Sequence, residues 1–133
     1  MSNQWDSISL RNINKLTKVG QESFIACSQS VSFKTPVDTG LLANNWFTEI
    51  NGVSTKTTDE PDKTKSLKAE AARQKALTIN IGDSISYVNN LPYVIPIEYD
   101  GHSKKAESGM VRITVAQWPT MVAKIVKAHK DDK

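Results

Sequence analysis

Hydrophobic residues recur at helical spacing through the first third of the chain. The positions that share this face are Ile13, Leu16, Gly20, Phe24, Cys27 and Val31. Steps of three and four residues are typical of one side of an α-helix. Pro36 cannot donate a backbone hydrogen bond, and it disfavours helical geometry at Thr35. The pattern therefore predicts a long N-terminal helix that ends near Phe33.

A turn and a strand follow this helix. Asp38 and Thr39 can bond nearby backbone N–H groups, and Gly40 tolerates a left-handed conformation, so a turn is predicted here. Residues 45–50 are rich in aromatic and β-compatible types and are followed by an Asn-Gly turn signal. They predict a β-strand.

The middle of the chain is polar. Residues 54–66 contain no apolar side chain, and such a stretch cannot bury enough surface to offset its ordering entropy. We expect a free loop here, and the alternative is a loop that becomes ordered only against a neighbouring subunit. Residues 67–76 are rich in alanine and lysine, and their intrinsic propensity predicts a helix.

Apolar and polar residues alternate farther along the chain. The apolar members are Leu77, Ile79, Ile81, Ile85 and Tyr87. A period of two residues is typical of half-buried strands, and the Gly-Asp pair at 82–83 is a turn signal. We therefore predict a β-hairpin over residues 77–88.

The C-terminal region carries a second helical stripe. Its members are Val111, Val115, Trp118, Val122 and Ile125. Residues 111–115 also alternate as a strand would, but the longer pattern favours a helix that runs through Ala128. Pro119 must then kink this helix or begin a fresh first turn. These elements predict one α+β domain over residues 1–133, with a long N-terminal helix and a C-terminal helix packed on a small antiparallel β-sheet.

Length and composition limit the classes of function. A chain of 133 residues fits one domain, and no apolar run approaches the roughly 20 residues of a membrane span. The N-terminus lacks the basic and apolar regions of a signal peptide, so we expect assembly in a cytoplasm. Cys27 is the only cysteine, which excludes an intrachain disulfide and a cysteine-based zinc site. A buried structural thiol is the expected role.

Groups suited to catalysis are few. His102 and His129 are the only histidines, and neither lies in a pattern that suggests pairing. The carboxylates Asp59 and Glu60 lie in the polar segment, where nothing would exclude water. No Gly-rich phosphate loop or nucleophile elbow is present. We therefore expect no enzymatic activity, no cofactor and no metal.

Charge is unevenly distributed along the chain. Residues 77–103 carry three acidic groups and no basic one, whereas residues 104–133 carry seven basic and three acidic groups. Complementary potentials of this kind can orient head-to-tail contacts between copies, and a solvated lysine-rich surface is an equally good interpretation. Nucleic-acid binding is less favoured, because fourteen of the seventeen basic residues are lysines and no stripe interleaves aromatics with arginines.

Five short motifs remain, and they occur in a fixed order. They are Thr35 to Gly40, Asn45-Trp46, Asn89 to Tyr93, Glu98-Tyr99 and Gly109 to Arg112. In this order and spacing they resemble the small head–tail joining and tail-completion proteins of long-tailed bacteriophages, and the similarity covers most of the chain. The chain departs from the family pattern at Pro96, within an expected short helix, and at Asp100, where the family more often has glycine.

The resemblance implies a structural virion protein at the head–tail junction. Copies would form a ring, expected to be a hexamer, around a channel through which DNA passes without sequence-specific binding. Other neck and tail proteins would be its partners: the tail terminator, the tube or the head-completion proteins. No membrane is involved. A tail-terminator ring is the alternative within the same class, and a small basic DNA-binding protein is a less favoured one.

The candidate contact residues come from these motifs. They are Asp38, Gly40, Trp46, Asn89, Asn90, Pro92, Tyr93, Glu98, Tyr99, Gly109, Met110 and Arg112. Tyrosines such as Tyr93 and Tyr99 offer large rigid surfaces of the kind enriched in interfaces. Glu98 can accept a bond from a neighbour's lysine or arginine, and Arg112 is the fourth residue expected in the interface. We therefore expect Glu98→Lys to fold normally and to fail in assembly.

Overall fold

The apolar stripe of the first third of the chain forms a helix, as its spacing predicts. The computed structural model describes residues 4–37, 40–92, 94–99 and 109–130, with side chains from residue 12 onward. Within these ranges the chain is α+β, with four helices and one two-stranded antiparallel sheet. The elements in chain order are α1 (Gln4–Lys34), a 3-10 turn (Ala43–Asn45), β1 (Trp46–Ile50), α2 (Leu67–Ala76), β2 (Ile85–Asn89), α3 (Val94–Tyr99) and α4 (Val111–Ala128).

Helix α1 buries only the second half of its apolar stripe. Phe24 and Val31 are 8% and 3% exposed, and Cys27 is half-buried beside them. Ile13 and Leu16 belong to the same stripe but remain 48% and 61% exposed. The predicted core face is therefore correct from Phe24 onward, and the earlier part of the stripe faces solvent.

The sheet consists of β1 and β2. They run antiparallel, with Trp46 opposite Asn89 and Ile50 opposite Ile85. Trp46 is 3% exposed, and its ring stacks on that of Tyr87 with the centroids 5.2 Å apart. Stacked aromatic pairs of this kind add stability beyond the apolar area that they bury. This pair is the centre of the inner face of the sheet.

Two hydroxyl groups connect the aromatic pair to the end of α1. Trp46 Nε1 donates to Thr35 Oγ1 over 3.0 Å, and the hydroxyl oxygens of Tyr87 and Ser32 lie 2.6 Å apart. Buried polar groups are tolerated when they are paired in this way. Trp46, one of the candidate contact residues, therefore belongs to the interior of the chain rather than to its surface.

The core lies where α1, the sheet and the start of α4 meet. Its first cluster comprises Val31, Leu42, Trp46 and Met110. Its second cluster, where α2 packs on α1, comprises Phe24, Ala72 and Ala76. Tyr87 packs against both clusters. The strand β2 therefore joins the two parts of the core through one side chain.

The predicted hairpin is wrong in its first strand. The carbonyl groups of Leu77 and Ile79 accept hydrogen bonds from Gln21 Nε2 on α1. Asp83 Oδ2 accepts the N–H of Asn80 over 2.8 Å, which closes a tight turn. These local and helix-derived bonds satisfy the backbone that a strand would have paired, so β2 pairs with β1 instead.

The three predicted helices are confirmed. Helix α1 ends at Lys34, one residue beyond the predicted end. Helix α2 fills residues 67–76 as predicted, and α4 is helical throughout, so the strand alternative for residues 111–115 is wrong. Pro119 lies inside α4. Among the described helices, none combines the length and the hydrophobicity needed to cross a membrane.

Alkaline pH is expected to destabilise the protein through Tyr87. Burial raises the pKa of Tyr87 to about 12, although its hydrogen bond with Ser32 opposes this shift. An exposed tyrosine has a pKa of about 10. Because the folded state holds the proton more tightly, the stabilisation is complete below about pH 10 and is lost as the pH rises towards about 12. The maximum loss is about 2–3 kcal/mol.

Urea unfolding at several pH values between about 8 and 11 measures this loss. Tyr87→Phe should flatten the pH dependence, and Tyr99→Phe, which alters an exposed tyrosine, should leave it unchanged. A wild-type free energy of unfolding that stays constant through this range would contradict the expectation.

Candidate functional site

Glu98 forms the cap of helix α4. Its carboxylate is buried, with the residue only 5% exposed. Oε2 accepts the backbone N–H groups of Met110 and Val111, the latter over 3.1 Å, and Oε1 accepts that of Arg112 over 2.7 Å. The first N–H groups of a helix have no partner inside the helix, and the positive end of its dipole favours an anion. Glu98 on α3 thus provides the hydrogen-bond acceptors for the N–H groups at the start of α4, which have no partner inside their own helix.

Gly109 lets the two segments approach each other. Its φ is +82°, and a Cβ at this position would lie 2.7 Å from Glu98 O and 2.8 Å from Glu98 Oε2. A side chain would therefore displace the carboxylate from the helix end. Met110, the next residue, is fully buried and joins the core. The motif Gly109 to Arg112 is therefore a folding device that requires glycine at its first position.

Arg112 continues the same arrangement towards the surface. Its Nη2 donates to the backbone oxygen of Glu98, and its Nε lies 3.8 Å from Glu98 Oε1. The guanidinium carbon lies 5.1 Å from the ring centroid of Tyr99, a cation–π contact. Tyr99 is 59% exposed and the Arg112 side chain 47%. Tyr99 and Arg112 are therefore accessible to a partner, whereas the buried carboxylate of Glu98 is not.

These contacts correct the expectation for Glu98. The sequence predicts an acid that can bind a neighbouring subunit and be replaced by lysine without harm to folding. In the structure the carboxylate is occupied by Arg112 and three backbone N–H groups of its own chain. Pro96 does not prevent α3, because it lies in the first turn, where a missing N–H breaks no helical bond.

The polar segment is held by side chains from elsewhere in the chain. Asn45 Nδ2 donates to Thr58 O over 3.0 Å, and Asn45 Oδ1 accepts Thr58 N–H over 2.9 Å. Asn44 Nδ2 donates to Glu60 O over 2.8 Å. We call Asn44, Asn45 and Asn90 the asparagine clamp. The clamp replaces the backbone partners that a strand would have provided.

Asn90 holds the other end of this segment. Its Nδ2 donates to Ser54 O and to Lys56 O, each over 3.0 Å. Residues 54–66 are therefore ordered by their own chain, and both sequence interpretations, a free loop and a loop ordered only by a neighbour, are wrong. The low apolar content of the segment does not reveal that it is ordered, because the asparagine clamp binds the backbone of the segment and not its side chains.

Gly40 and Asp62 close the segment against the turn after α1. Gly40 has a φ of +85°, and its oxygen accepts the N–H of Asp62 over 2.9 Å. Asp62 Oδ2 accepts the N–H of Leu67 over 3.0 Å, at the start of α2. Burial raises the pKa of Asp62, but bonds from Thr64 and the neighbouring backbone outweigh this and hold the pKa below its usual value. The ionised carboxylate therefore anchors the end of the segment.

The remaining candidates divide by location. Asn89 Nδ2 donates to Leu42 O over 2.9 Å, and its Oδ1 accepts the N–H of Leu91, so this side chain also acts within the chain. Pro92 is exposed. Asp38 and Tyr93 lie outside the described residues.

An exposed apolar surface borders the α4 cap. It consists of Ile95, Tyr99, Val111 and Val115, which are 57%, 59%, 40% and 60% exposed; we call it the α3–α4 patch. The first three line a groove of about 270 Å³ that separates α3 and α4 from β2, and Val115 lies one helical turn beyond Val111. The sequence pattern groups Val111 and Val115 in the apolar stripe of α4, and the structure leaves both side chains exposed.

Among the described residues, no cluster of three histidine, cysteine, aspartate or glutamate side chains could hold a metal ion. No family model matches the chain, and neither a curated protein nor a solved structure matches it.

Proposed function

We propose that this chain is a structural protein of a long-tailed bacteriophage virion, where its copies form a ring at the head–tail junction. The observation that carries the proposal is the α3–α4 patch. Two of the five family-like motifs, Glu98-Tyr99 and Gly109 to Arg112, build the frame of this patch. These motif residues thus fix the position of an apolar surface that the described residues of the single subunit leave exposed.

The composition of the patch suits association between proteins. Contiguous exposed apolar surface with a polar border is characteristic of interaction sites. Tyrosine and arginine are enriched in interfaces, and the stacked pair of Tyr99 and Arg112 offers both at the edge of the patch. No catalytic group of the sequence is required for this role. The activity that we propose is assembly and not chemistry.

A closed ring requires two different faces on each subunit, since each copy meets the next head to tail. The α3–α4 patch supplies one such face. In a neck ring the other partners would be the tail terminator, the tube or the head-completion proteins, and DNA would pass through the channel without sequence-specific contacts. A tail-terminator ring would use the same kind of contact, and the position of the ring in the particle distinguishes the two.

Substituting one residue of the patch is expected to weaken self-association. Val115→Lys places a charge at a 60% exposed position inside the patch, and burying it in an interface would require desolvation. We expect the dissociation constant to rise at least about tenfold, the equivalent of one lost valine contact. Sedimentation velocity over a range of concentrations measures this change.

The matched control is Val126→Lys. Val126 is 49% exposed on the same helix but outside the patch, so its substitution should leave the dissociation constant unchanged. Equal effects of both variants would contradict a specific role for the patch. A wild-type protein that stays monomeric, together with virions that lack it by electron cryomicroscopy of the neck, would refute the proposed function itself.

DNA binding is the second candidate, and the charge of the C-terminal helix favours it. Lys124, Lys127 and Lys130 lie within two turns, and Lys15 Nζ bonds Lys130 O and adds a fourth ammonium group. Fluorescence anisotropy with duplex DNA at increasing salt distinguishes this function. An affinity that falls steeply with salt would support phosphate contacts, and no binding at low salt would exclude them.

A further inference from the structure

Among the described residues, none pairs with the outer edge of β2. The hydrogen bond from Asn51 N–H to Ser84 O fixes the alternation of the ladder, so the backbone groups of Ile85, Tyr87 and Asn89 point away from β1. Within the described ranges, no hydrogen bond reaches the backbone N–H or C=O of Tyr87 on this side. An open strand edge is a template for another strand.

This edge also lacks the usual protection. Natural edge strands carry lysines, prolines or bulges that discourage pairing with other chains. The strand β2, Ile-Ser-Tyr-Val-Asn, contains no charged residue and no proline. The opposite edge differs, because Lys75 Nζ donates to Thr48 O over 2.9 Å and α2 packs against β1. Within the part of the chain that the structure describes, β2 is therefore the edge that a strand from outside can reach.

The space beside β2 favours an extended segment. The groove of about 270 Å³ between β2 and the α3–α4 patch is lined by apolar groups that include Val88, Val94 and Ile95. A strand added to β2 would place alternate side chains in this groove. Backbone bonds would supply affinity and the groove would supply selectivity, as in other complexes formed by strand addition.

The same chain carries a segment suited to this edge. In residues 53–59, the carbonyl groups of Ser54, Lys56 and Thr58 face inward and bind the asparagine clamp. Because backbone groups alternate in direction along an extended chain, those of Val53, Thr55 and Thr57 face outward. No hydrogen bond to these outward groups is present in the described part of the chain.

The residues of this segment are compatible with a strand. Val53 is 68% exposed, and Thr55 and Thr57 are also exposed; all three are β-branched, the type most common in strands. Asp59 follows on the same side. Arg112 stacks on Tyr99 of the groove, and its side chain is half-exposed, so it offers Asp59 a cation at the end of the added strand.

From these contacts we propose that residues 53–59 of one copy add as a strand to the β2 edge of the next copy. The inference rests on the proposed ring, and it names the contact that closes it. The donor segment and the acceptor edge are different faces of one subunit, so each copy would offer one and receive the other. That is the head-to-tail geometry of a cyclic assembly.

Hydrogen–deuterium exchange on the wild-type protein tests the contact directly. The exchange of single amides is compared at a concentration where the protein is monomeric and at one where it is assembled. We expect the amides of Tyr87, Thr55 and Thr57 to exchange at least about tenfold more slowly in the assembly, because each would gain a backbone partner. Unchanged exchange at these amides in an assembled sample would overturn the strand contact.

A pair of variants tests the donor segment separately. Thr55→Pro removes the outward N–H while the inward bonds of Ser54 and Lys56 remain. Thr55→Ala removes the same side chain but keeps the N–H. We expect Thr55→Pro to raise the dissociation constant of self-association about tenfold for each lost bond, with an unchanged circular dichroism spectrum, and Thr55→Ala to assemble as the wild type does.

The outcomes separate this inference from the proposed function. Assembly of Thr55→Pro with wild-type affinity overturns the strand contact and leaves a ring formed in another way. A wild-type protein that never assembles refutes the proposed function and, with it, the strand contact. If Thr55→Pro fails to fold, the exchange measurement on the wild type decides alone.

Discussion

Glu98→Lys is expected to prevent stable folding of the chain. The substitution removes the acceptor of three backbone N–H groups at the start of α4. It also places an ammonium group in a site that is 5% exposed, at the positive end of a helix and beside Arg112. Breaking a buried charged contact costs about 3–5 kcal/mol, a large fraction of the total stability of a domain.

A milder variant gives a measurable number. Glu98→Gln keeps the shape and one acceptor but presents an NH2 group where a second acceptor is needed. We expect a loss of about 1.5–3 kcal/mol in the free energy of unfolding, the value of hydrogen bonds to a charged group. Urea unfolding followed by circular dichroism measures this loss, with Glu60→Gln as the control, since Glu60 is exposed.

These variants also distinguish folding from assembly. If Glu98→Lys gave a folded monomer that failed only to associate, Glu98 would have its role in the interface and not in the α4 cap. Loss of folding is the result that the structure predicts. The contact between subunits is then better sought at Val115, Tyr99 and the β2 edge.

Gly40→Ala is expected to destabilise the protein by about 2–5 kcal/mol. The new Cβ would lie 2.6 Å from the backbone of Asp62 and Lys63, where no flexible side chain can give way. The φ of +85° adds a penalty of about 1–2 kcal/mol for any residue with a side chain, and overpacking adds about 1–3 kcal/mol. The bond from Asp62 N–H to Gly40 O would be lost as the segment moves away.

Gly20→Ala is the matched control, and we expect it to change the stability in the opposite direction. Gly20 lies inside α1, and a Cβ there would meet nothing within 4 Å. Alanine in a helix interior is favoured over glycine by about 0.5–1 kcal/mol, so this variant should be more stable than the wild type. Thermal unfolding compares both variants, and limited proteolysis should cleave residues 54–60 faster in Gly40→Ala only. Equal stability of the two variants would contradict the close approach at Gly40.

The asparagines mark the limit of what the sequence could predict. Asn45, Asn89 and Asn90 lie in the motifs that the sequence singles out, and asparagines often bond to nearby backbone groups. Each of them, like Asn44, also donates to a backbone carbonyl that lies far away in sequence. A polar segment receives such bonds through its main chain, which is the same for every residue type, so the segment itself carries no signal that it is held.

The hairpin error has a related cause. Alternating apolar residues at 77–81 have the period of a strand, but whether a strand forms depends on the presence of a pairing partner. Gln21 on α1 takes the carbonyl groups of Leu77 and Ile79, and only Ile79 among the three apolar residues of this stretch is buried. The group that replaces a pairing strand is therefore a side chain on a distant helix. The local pattern of residues 77–81 holds no information about that side chain.

The sequence alone determined the helices and the α+β class of this protein, because helical periodicity and propensity are local properties that the printed residues carry directly. The tertiary structure decided the role of each motif. Burial turned Glu98 into the cap of α4, stacking on Tyr87 placed Trp46 in the core, and the packing of α3 beside α4 left Ile95, Tyr99, Val111 and Val115 exposed. Such outcomes depend on which distant groups come within a few ångströms, and that is settled only when the whole chain packs.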